Sequence, residues 1–185
     1  EGGINGCMQC LLCRTDGPES LADRYFWCRL CDLRFLDPIY RLNAADEKAR
    51  YLLHNNDVSD HGYQRFVEPI RTAVAERIPQ GASGLDFGAG SGPVLAKLLE
   101  QSGYGMTLYD PIFWPNLEAL ERTYDFVVSC EVVEHFFEPY TDFARLKALV
   151  CNGGLIAIMT LLYDSRNDFQ DWYYRRDPTH VVFYS

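Results

Sequence analysis

Five of the chain's seven cysteines, Cys7, Cys10, Cys13, Cys28 and Cys31, fall within its first 31 residues. Cys10-Leu-Leu-Cys13 and Cys28-Arg-Leu-Cys31 are two C-x-x-C pairs separated by 14 residues, a spacing at which four thiolates close a tetrahedron around one zinc ion. Cys7-Met-Gln-Cys10 is also a C-x-x-C, so the first pair has two readings; Cys10 with Cys13 is favoured. Disulfides are the rival reading, disfavoured because no charged start followed by an apolar run marks a secreted chain. Four protein ligands leave no open coordination position, so this zinc is expected to be structural.

A second group of residues reads as a small-molecule site. Leu85-Asp86-Phe87-Gly88-Ala89-Gly90-Ser91-Gly92-Pro93 runs from a strand-like segment into a glycine turn and then a helical segment. Glycines there let backbone approach a ligand without side-chain clashes, and Pro93 suits a first helical turn. Asp110, eighteen residues beyond Gly92, is placed where a carboxylate accepts ribose hydroxyls. The spacing is G-x-G-x-G, whereas a dinucleotide fingerprint requires glycine at position 93, so a nucleoside cofactor without a pyrophosphate is the better expectation. Asp86 is suited to answer an ammonium group.

Two histidines complete the set. His135 follows Glu134 after a buried-looking strand, and His180 closes Asp177-Pro-Thr-His180. Each is either a general base or a satisfied hydrogen-bonding histidine at a strand end or turn. Tyr51, His54, Asn55 and Tyr63 form a polar and aromatic group ahead of the glycine turn, read either as a lid or as helix surface. Trp172, Tyr173 and Tyr174 either stack on a planar ligand or divide between core and surface. Cys130 and Cys151 read most simply as small buried residues.

These residues need a scaffold. Residues 42–53 are rich in helix formers, and Phe66, Ile70, Val74 and Ile78 recur at a four-residue step that marks one face of a second helix. Pro69 is expected to kink or divide it, and Pro79-Gln-Gly81 to end it. Strand-like residues 84–87, a helix over 93–101 and strand-like residues 106–109 form a βαβ unit. A second unit follows with a strand at 126–129, a helix at 140–150, a turn at Asn152-Gly-Gly154 and a strand at 155–159. The 13 residues between Asp110 and Tyr124 barely hold a helix, a strand and their turns. Either the third strand is vestigial or 117–122 is one short helical connection. The product is a parallel sheet covered by helices.

The whole is 185 residues long, 48% apolar and 23% charged, which suits one main domain with a small appendage. Its 26 acidic against 17 basic side chains give a net charge of -9. A nonspecific electrostatic grip on nucleic acid is therefore disfavoured and a small-molecule substrate preferred. No apolar run reaches the length of a membrane span, and a cytoplasmic location is expected.

With these motifs in view, the chain resembles class I S-adenosylmethionine-dependent methyltransferases of a bacterial group with an amino-terminal four-cysteine zinc segment. The likeness rests on Cys28-Arg-Leu-Cys31-Asp-Leu-Arg-Phe-Leu-Asp37, residues 85–92, Tyr109-Asp-Pro111, Ser129-Cys-Glu-Val-Val-Glu-His135, Gly153-Gly-Leu155 and Trp172-Tyr-Tyr-Arg-Arg-Asp-Pro-Thr-His180. It implies a Rossmann-like α/β fold, a mostly parallel sheet with flanking helices, divided into a zinc-binding subdomain at 7–40, a helical lead-in at 41–80 and the methyltransferase domain at 81–185. It implies S-adenosylmethionine and a structural Zn2+ as cofactors and a small-molecule methyl acceptor as partner. Asp86, Phe87, Gly88, Ala89 and Gly90 would lie beside the methionine portion, Asp110 and Pro111 at the ribose, and Cys130 with Glu131 along the cofactor wall. The Glu134-His135 pair would open onto the acceptor side, and Cys10, Cys13, Cys28 and Cys31 would hold the metal. The short 110–124 connection leaves no counterpart to the usual adenine-side acid, so Phe113 or Trp114 is expected to stack there. Such enzymes continue into a final pair of strands beyond the position of Ser185, which this chain is expected to lack. The competing function is a noncatalytic adaptor that keeps the fold and uses the zinc segment for protein contact.

Overall fold

The computed structural model describes residues 8–53 and 57–185; the readings of Cys7, His54 and Asn55 fall outside them. In chain order the strands are β1 (Glu19–Leu21), β2 (Tyr25–Trp27), β3 (Arg34–Leu36), β4 (Ser83–Phe87), β5 (Gly105–Tyr109), β6 (Tyr124–Cys130), β7 (Val150–Met159) and β8 (Val182–Phe183). The α-helices are α1 (Ala44–Tyr51), α2 (His61–Ala75), α3 (Val94–Gln101) and α4 (Pro139–Ala148). Two compact units emerge. One comprises Ala44–Val133 and Phe143–Thr160; the other comprises the described residues up to Asn43 with Glu134–Asp142 and Leu161–Ser185.

The first unit holds the expected parallel sheet, in the order β5-β4-β6-β7. Leu85, Phe126, Val127 and Val128 are fully buried at its centre, as β-rich apolar runs covered on both faces must be. Asp60 caps α2, its carboxylate accepting from the Gly62 and Tyr63 amides at 2.7 and 3.3 Å. Of the two outcomes expected at Pro69, a kink or a division, the division does not occur: α2 runs from His61 to Ala75. Proline inside a helix costs about 3 kcal/mol. Burial of Val67, Ile70 and Val74 on the same helix, at roughly 1.5–3 kcal/mol per side chain, exceeds that cost. The buried face carries Val67 in place of the expected Phe66, which is 46% exposed.

Two other local expectations change. Pro93 stands just before α3, at its cap position, and not within the first turn. Asn152-Gly153-Gly154 is not a turn but part of β7, where the register against β6 shifts between Tyr124 and Phe126. Gly153 has φ +82, and a Cβ on Gly154 would meet the Asp125 carbonyl at 2.5 Å; glycines here permit a bulge. The 110–124 connection takes the shorter of its two readings, a 3-10 turn at Leu117–Leu120 with an isolated bridge between Asp110 and Trp114.

The second unit is built on an antiparallel sheet in the order β1-β2-β3-β8. Phe35 faces Val182 and Arg34 faces Phe183 across the β3–β8 pair. Tyr25, Tyr163, Phe169, Trp172, Tyr174 and Phe183 pack edge-on or tilted against one another, with centroid separations of 5.2 to 6.4 Å. Trp172 and Tyr174 are buried here while Tyr173 is 64% exposed, so the aromatic triplet divides between core and surface.

Candidate functional site

At the carboxyl end of β4 the chain enters the glycine turn. Gly88 and Gly90 have φ of +84 and +63, conformations that side chains resist. The Gly88 and Ala89 amides donate to the Tyr109 carbonyl at 2.8 and 3.1 Å, joining the turn to the end of β5. Asp86 is buried beneath this turn, bonded to the backbone of Ala96 in the first turn of α3. Burial pushes its carboxyl up to about 7, with the nearby Asp110 charge adding to the shift and the Ala96 bond opposing it. A carboxylate held at this cost is poised to receive a cation.

Asp110 organises the turn's rim. One oxygen accepts from the Ile112 and Phe113 amides at 2.8 and 2.9 Å, and the other from the Gly90 amide at 3.1 Å. Three of the roughly four lone-pair positions of a carboxylate are thereby used, leaving capacity for about one further donor. Trp114, one of the two aromatics offered for stacking, donates its ring N–H to the Gly90 carbonyl at 2.8 Å. Nothing local in the sequence signals that bond.

Across the site stands the end of β6. Glu131 has φ +53, a left-handed conformation rare for a side-chain-bearing residue and concentrated at functional sites; its amide donates to the Met159 carbonyl at 2.8 Å. Tyr63 belongs to the same neighbourhood. Burial raises its phenol well above the usual range, and the charges of Cys130, Asp86 and Glu131 add to this. A groove lined by Pro69, Ile70, Ala73, Arg77 and residues 155–159 lies elsewhere on the unit; none of Asp86, Gly88, Gly90 or Asp110 borders it.

The two turn glycines differ in a testable way. A Cβ on Gly88 would stand 2.4 and 2.7 Å from the methyls of Val132, whereas one on Gly90 meets nothing within 4 Å. Gly90→Ala is expected to cost about 1 kcal/mol of stability for its backbone alone, and Gly88→Ala about 3 kcal/mol, since overpacking adds to the strain. Denaturant midpoints check this, and Val132→Ala should recover part of the Gly88→Ala loss; equal costs for both glycines would contradict the contact.

In the other unit, the described residues contain two clusters of metal-ligand type. Cys10, Cys13, Cys28 and Cys31 bring their sulfurs within 4.8 Å of one another, with Cys10 to Cys31 and Cys13 to Cys28 both at 3.5 Å. All four are free thiols. Sulfurs on one tetrahedral zinc with bonds of about 2.3 Å lie roughly 3.8 Å apart, so the donor set fits that ion. Burial holds Cys10 and Cys31 above the ordinary thiol range. At Cys13 burial is outweighed by hydrogen bonds with Thr15 and Cys28, and the thiol is lowered to about 6.

The second cluster joins Glu134, His135 and His180, whose ligand atoms also lie within 4.8 Å of one another. Glu134 is fully buried and accepts from the Tyr174 hydroxyl. His135 Nδ1 faces the Thr179 carbonyl at 2.9 Å, and His180 Nδ1 faces the Tyr174 carbonyl at 2.8 Å. A carbonyl only accepts, so both Nδ1 atoms carry the proton, and the lone pair of each neutral ring is on Nε2. The rings meet edge-on at 4.9 Å. Burial, followed by the His135 charge, lowers the pKa of His180, which favours its neutral form. Tyr174 was read from sequence only as an aromatic, and its hydroxyl contact with Glu134 had no local signal.

Comparisons with known proteins bear on both units. A family model described as a methyltransferase domain matches residues 59–185. No curated protein matches. Among solved structures, the chain is similar to CalO1, a methyltransferase in calicheamicin biosynthesis in its SAH-bound form. The identity is 14% and the TM-score 0.43, over 66% of this chain and 45% of that one. This chain spans less than half the length of that protein.

Proposed function

The chain belongs to the methyltransferase-domain family, and from that premise we propose that it transfers a methyl group from S-adenosylmethionine to a small-molecule acceptor. The observation that carries this reading is Asp86, a carboxyl buried under a glycine turn and pushed up to about 7. S-adenosylmethionine bears an ammonium and a sulfonium and no pyrophosphate. Its methionine portion would follow residues 86–90, one ribose hydroxyl would use the remaining capacity of Asp110, and Cys130, Glu131 and Tyr63 would wall the site. No helix among the described residues is long and apolar enough to cross a membrane.

In the transfer, an acceptor lone pair forms the new bond to the methyl carbon while the C–S bond electrons return to sulfur, leaving a neutral thioether. The acceptor's proton must leave, and positioning supplies much of the remaining rate. His135 and His180, with Nε2 basic by virtue of their Nδ1 bonds, are assigned to that proton, and Glu134 to orienting them. The cysteine cluster is assigned to one structural zinc, the fit of its sulfurs supporting that role.

Calorimetry with S-adenosylmethionine, S-adenosylhomocysteine and NAD tests the class: the first two should bind and NAD should not. Binding of NAD alone would overturn the reading, and binding of none would favour the noncatalytic adaptor. For the histidines, a panel of small acceptors is first screened for S-adenosylhomocysteine release. His135→Ala or His180→Ala should then lower turnover by roughly 10²-fold or more while cofactor affinity changes little. Wild-type rates in both variants would remove the two imidazoles from the chemistry.

A further inference from the structure

The Glu134, His135 and His180 cluster has the construction of a metal centre, and we propose that it binds one first-row divalent cation, separate from the zinc of the four cysteines. The donor set is two imidazoles and a carboxylate, with ligand atoms within 4.8 Å of one another. Donors around an ion with bonds of about 2.1 Å lie about 3–4 Å apart, so side-chain adjustment suffices to close the site.

The surroundings support the assignment more strongly than the ligand count does. A histidine that holds a metal characteristically donates its other ring N–H to a carbonyl or carboxylate, fixing the tautomer and aiming the lone pair. Both histidines do this, His135 to the Thr179 carbonyl at 2.9 Å and His180 to the Tyr174 carbonyl at 2.8 Å. The carboxylate is held in the same manner, by the Tyr174 hydroxyl. Tyr174 therefore orients two of the three ligands, one through its side chain and one through its backbone, and its ring packs on His180 at 4.2 Å.

The partial exposure of both histidines leaves an approach for the ion, and three protein ligands leave coordination positions open, unlike the closed cysteine cluster. Mixed nitrogen and oxygen donors suit Mn2+, Fe2+, Co2+ or Zn2+, whereas four thiolates select softer ions. With a cation seated, the imidazole lone pairs serve as ligands. The imidazoles would then no longer take the acceptor's proton themselves; the ion would lower the pKa of a hydroxyl bound to it, whose proton would leave to solvent. That last consequence rests on the methyl-transfer reading; the binding of the cation does not.

Mn2+ is the probe, because it competes poorly for thiolates. The full chain, carrying zinc in its cysteine cluster, is titrated with Mn2+ without cofactor or acceptor, and free Mn2+ is followed by electron paramagnetic resonance. One saturable site per chain is expected. His180→Ala should weaken it by 100-fold or more, and Tyr174→Phe, which keeps the ring and the backbone carbonyl, by about 10–100-fold, with folding of each variant checked by circular dichroism. If His180→Ala fails to fold, Tyr174→Phe decides. Absence of a saturable Mn2+ site in the wild type, or unchanged affinity in Tyr174→Phe, overturns the proposal. Saturable Mn2+ binding with no methyl transfer to any acceptor would leave it standing while removing the reaction assigned above.

Discussion

Asp86→Asn is expected to stabilise the ligand-free protein while weakening its hold on S-adenosylmethionine. The carboxyl is raised from 3.8 to about 7, first by burial, so the native state keeps a proton that the unfolded chain gives up some three pH units lower. The stability this group contributes is therefore fully present below about pH 4 and is lost as pH rises through about 7. At roughly 1.4 kcal/mol per unit, the loss is about 4 kcal/mol. Asparagine carries no charge to desolvate, and its side-chain oxygen still accepts a backbone bond. The variant should consequently unfold at higher denaturant than wild type at pH 8, with the advantage shrinking as the pH approaches 4. A gain that ignored pH would point to packing instead. For the cofactor the sign reverses, since a charge-assisted bond to an ammonium contributes about 1.5–3 kcal/mol. Calorimetry at pH 8 should show a loss of roughly 10–100-fold. In the wild type, affinity should fall as the pH drops below 7, because protonated Asp86 no longer pairs with a cation. Stability given up at one buried group for the sake of binding is the usual exchange at a functional site.

The parts of this protein that sequence exposes are those whose causes lie close together in the chain. The strand, glycine turn and helix of residues 83–101 are one local sentence of β-formers, glycines and helix formers. Likewise, the two C-x-x-C pairs bring their sulfurs within 4.8 Å, as their spacing implies. Nonlocal causes stayed hidden. Nothing in Arg34-Phe35-Leu36 or Val182-Phe183 announces that these segments pair across some 150 residues, since a two-residue strand has no period to read. Asn152-Gly-Gly154 carries a turn signature, and only the approach of the Asp125 carbonyl shows why glycine is needed inside a strand. The sequence singles out Asp110 for a ribose, but its three amide partners, which make it an organiser of the rim, depend on the folded loop. Tyr174 shows the same limit, because composition identifies an aromatic and only the fold places its hydroxyl on Glu134.

That long-range pairing leads to the second large effect, the consequence of emptying the cysteine cluster by the double change Cys28→Ser and Cys31→Ser. Wild-type protein prepared without chelator should carry one tightly held zinc in this cluster by elemental analysis, and the double variant should not; a wild type with no metal would end the assignment. The structural consequence should travel beyond the first 40 residues. Cys28 closes its turn by donating its amide to the Leu33 carbonyl at 2.9 Å, and β3 begins at Arg34, immediately after that turn. β3 in turn holds β8, and Tyr25 of β2 packs on Phe169 at 5.2 Å and on Phe183 at 6.0 Å. Structural zinc contributes on the order of 10 kcal/mol to the folding of small domains, whereas a three-residue strand pair stabilises little by itself. Losing the metal should therefore release β3, and with it the Val182 and Phe183 segment far along the chain. Hydrogen exchange reads this directly. Amides at 182 and 183 should lose protection in the variant, while Phe126, Val127 and Val128, in the parallel sheet of the other unit, keep theirs. If residues 182 and 183 stay protected, the aromatic cluster around Phe169, Trp172 and Phe183 holds the tail without the metal, and the zinc serves only the knuckle that binds it.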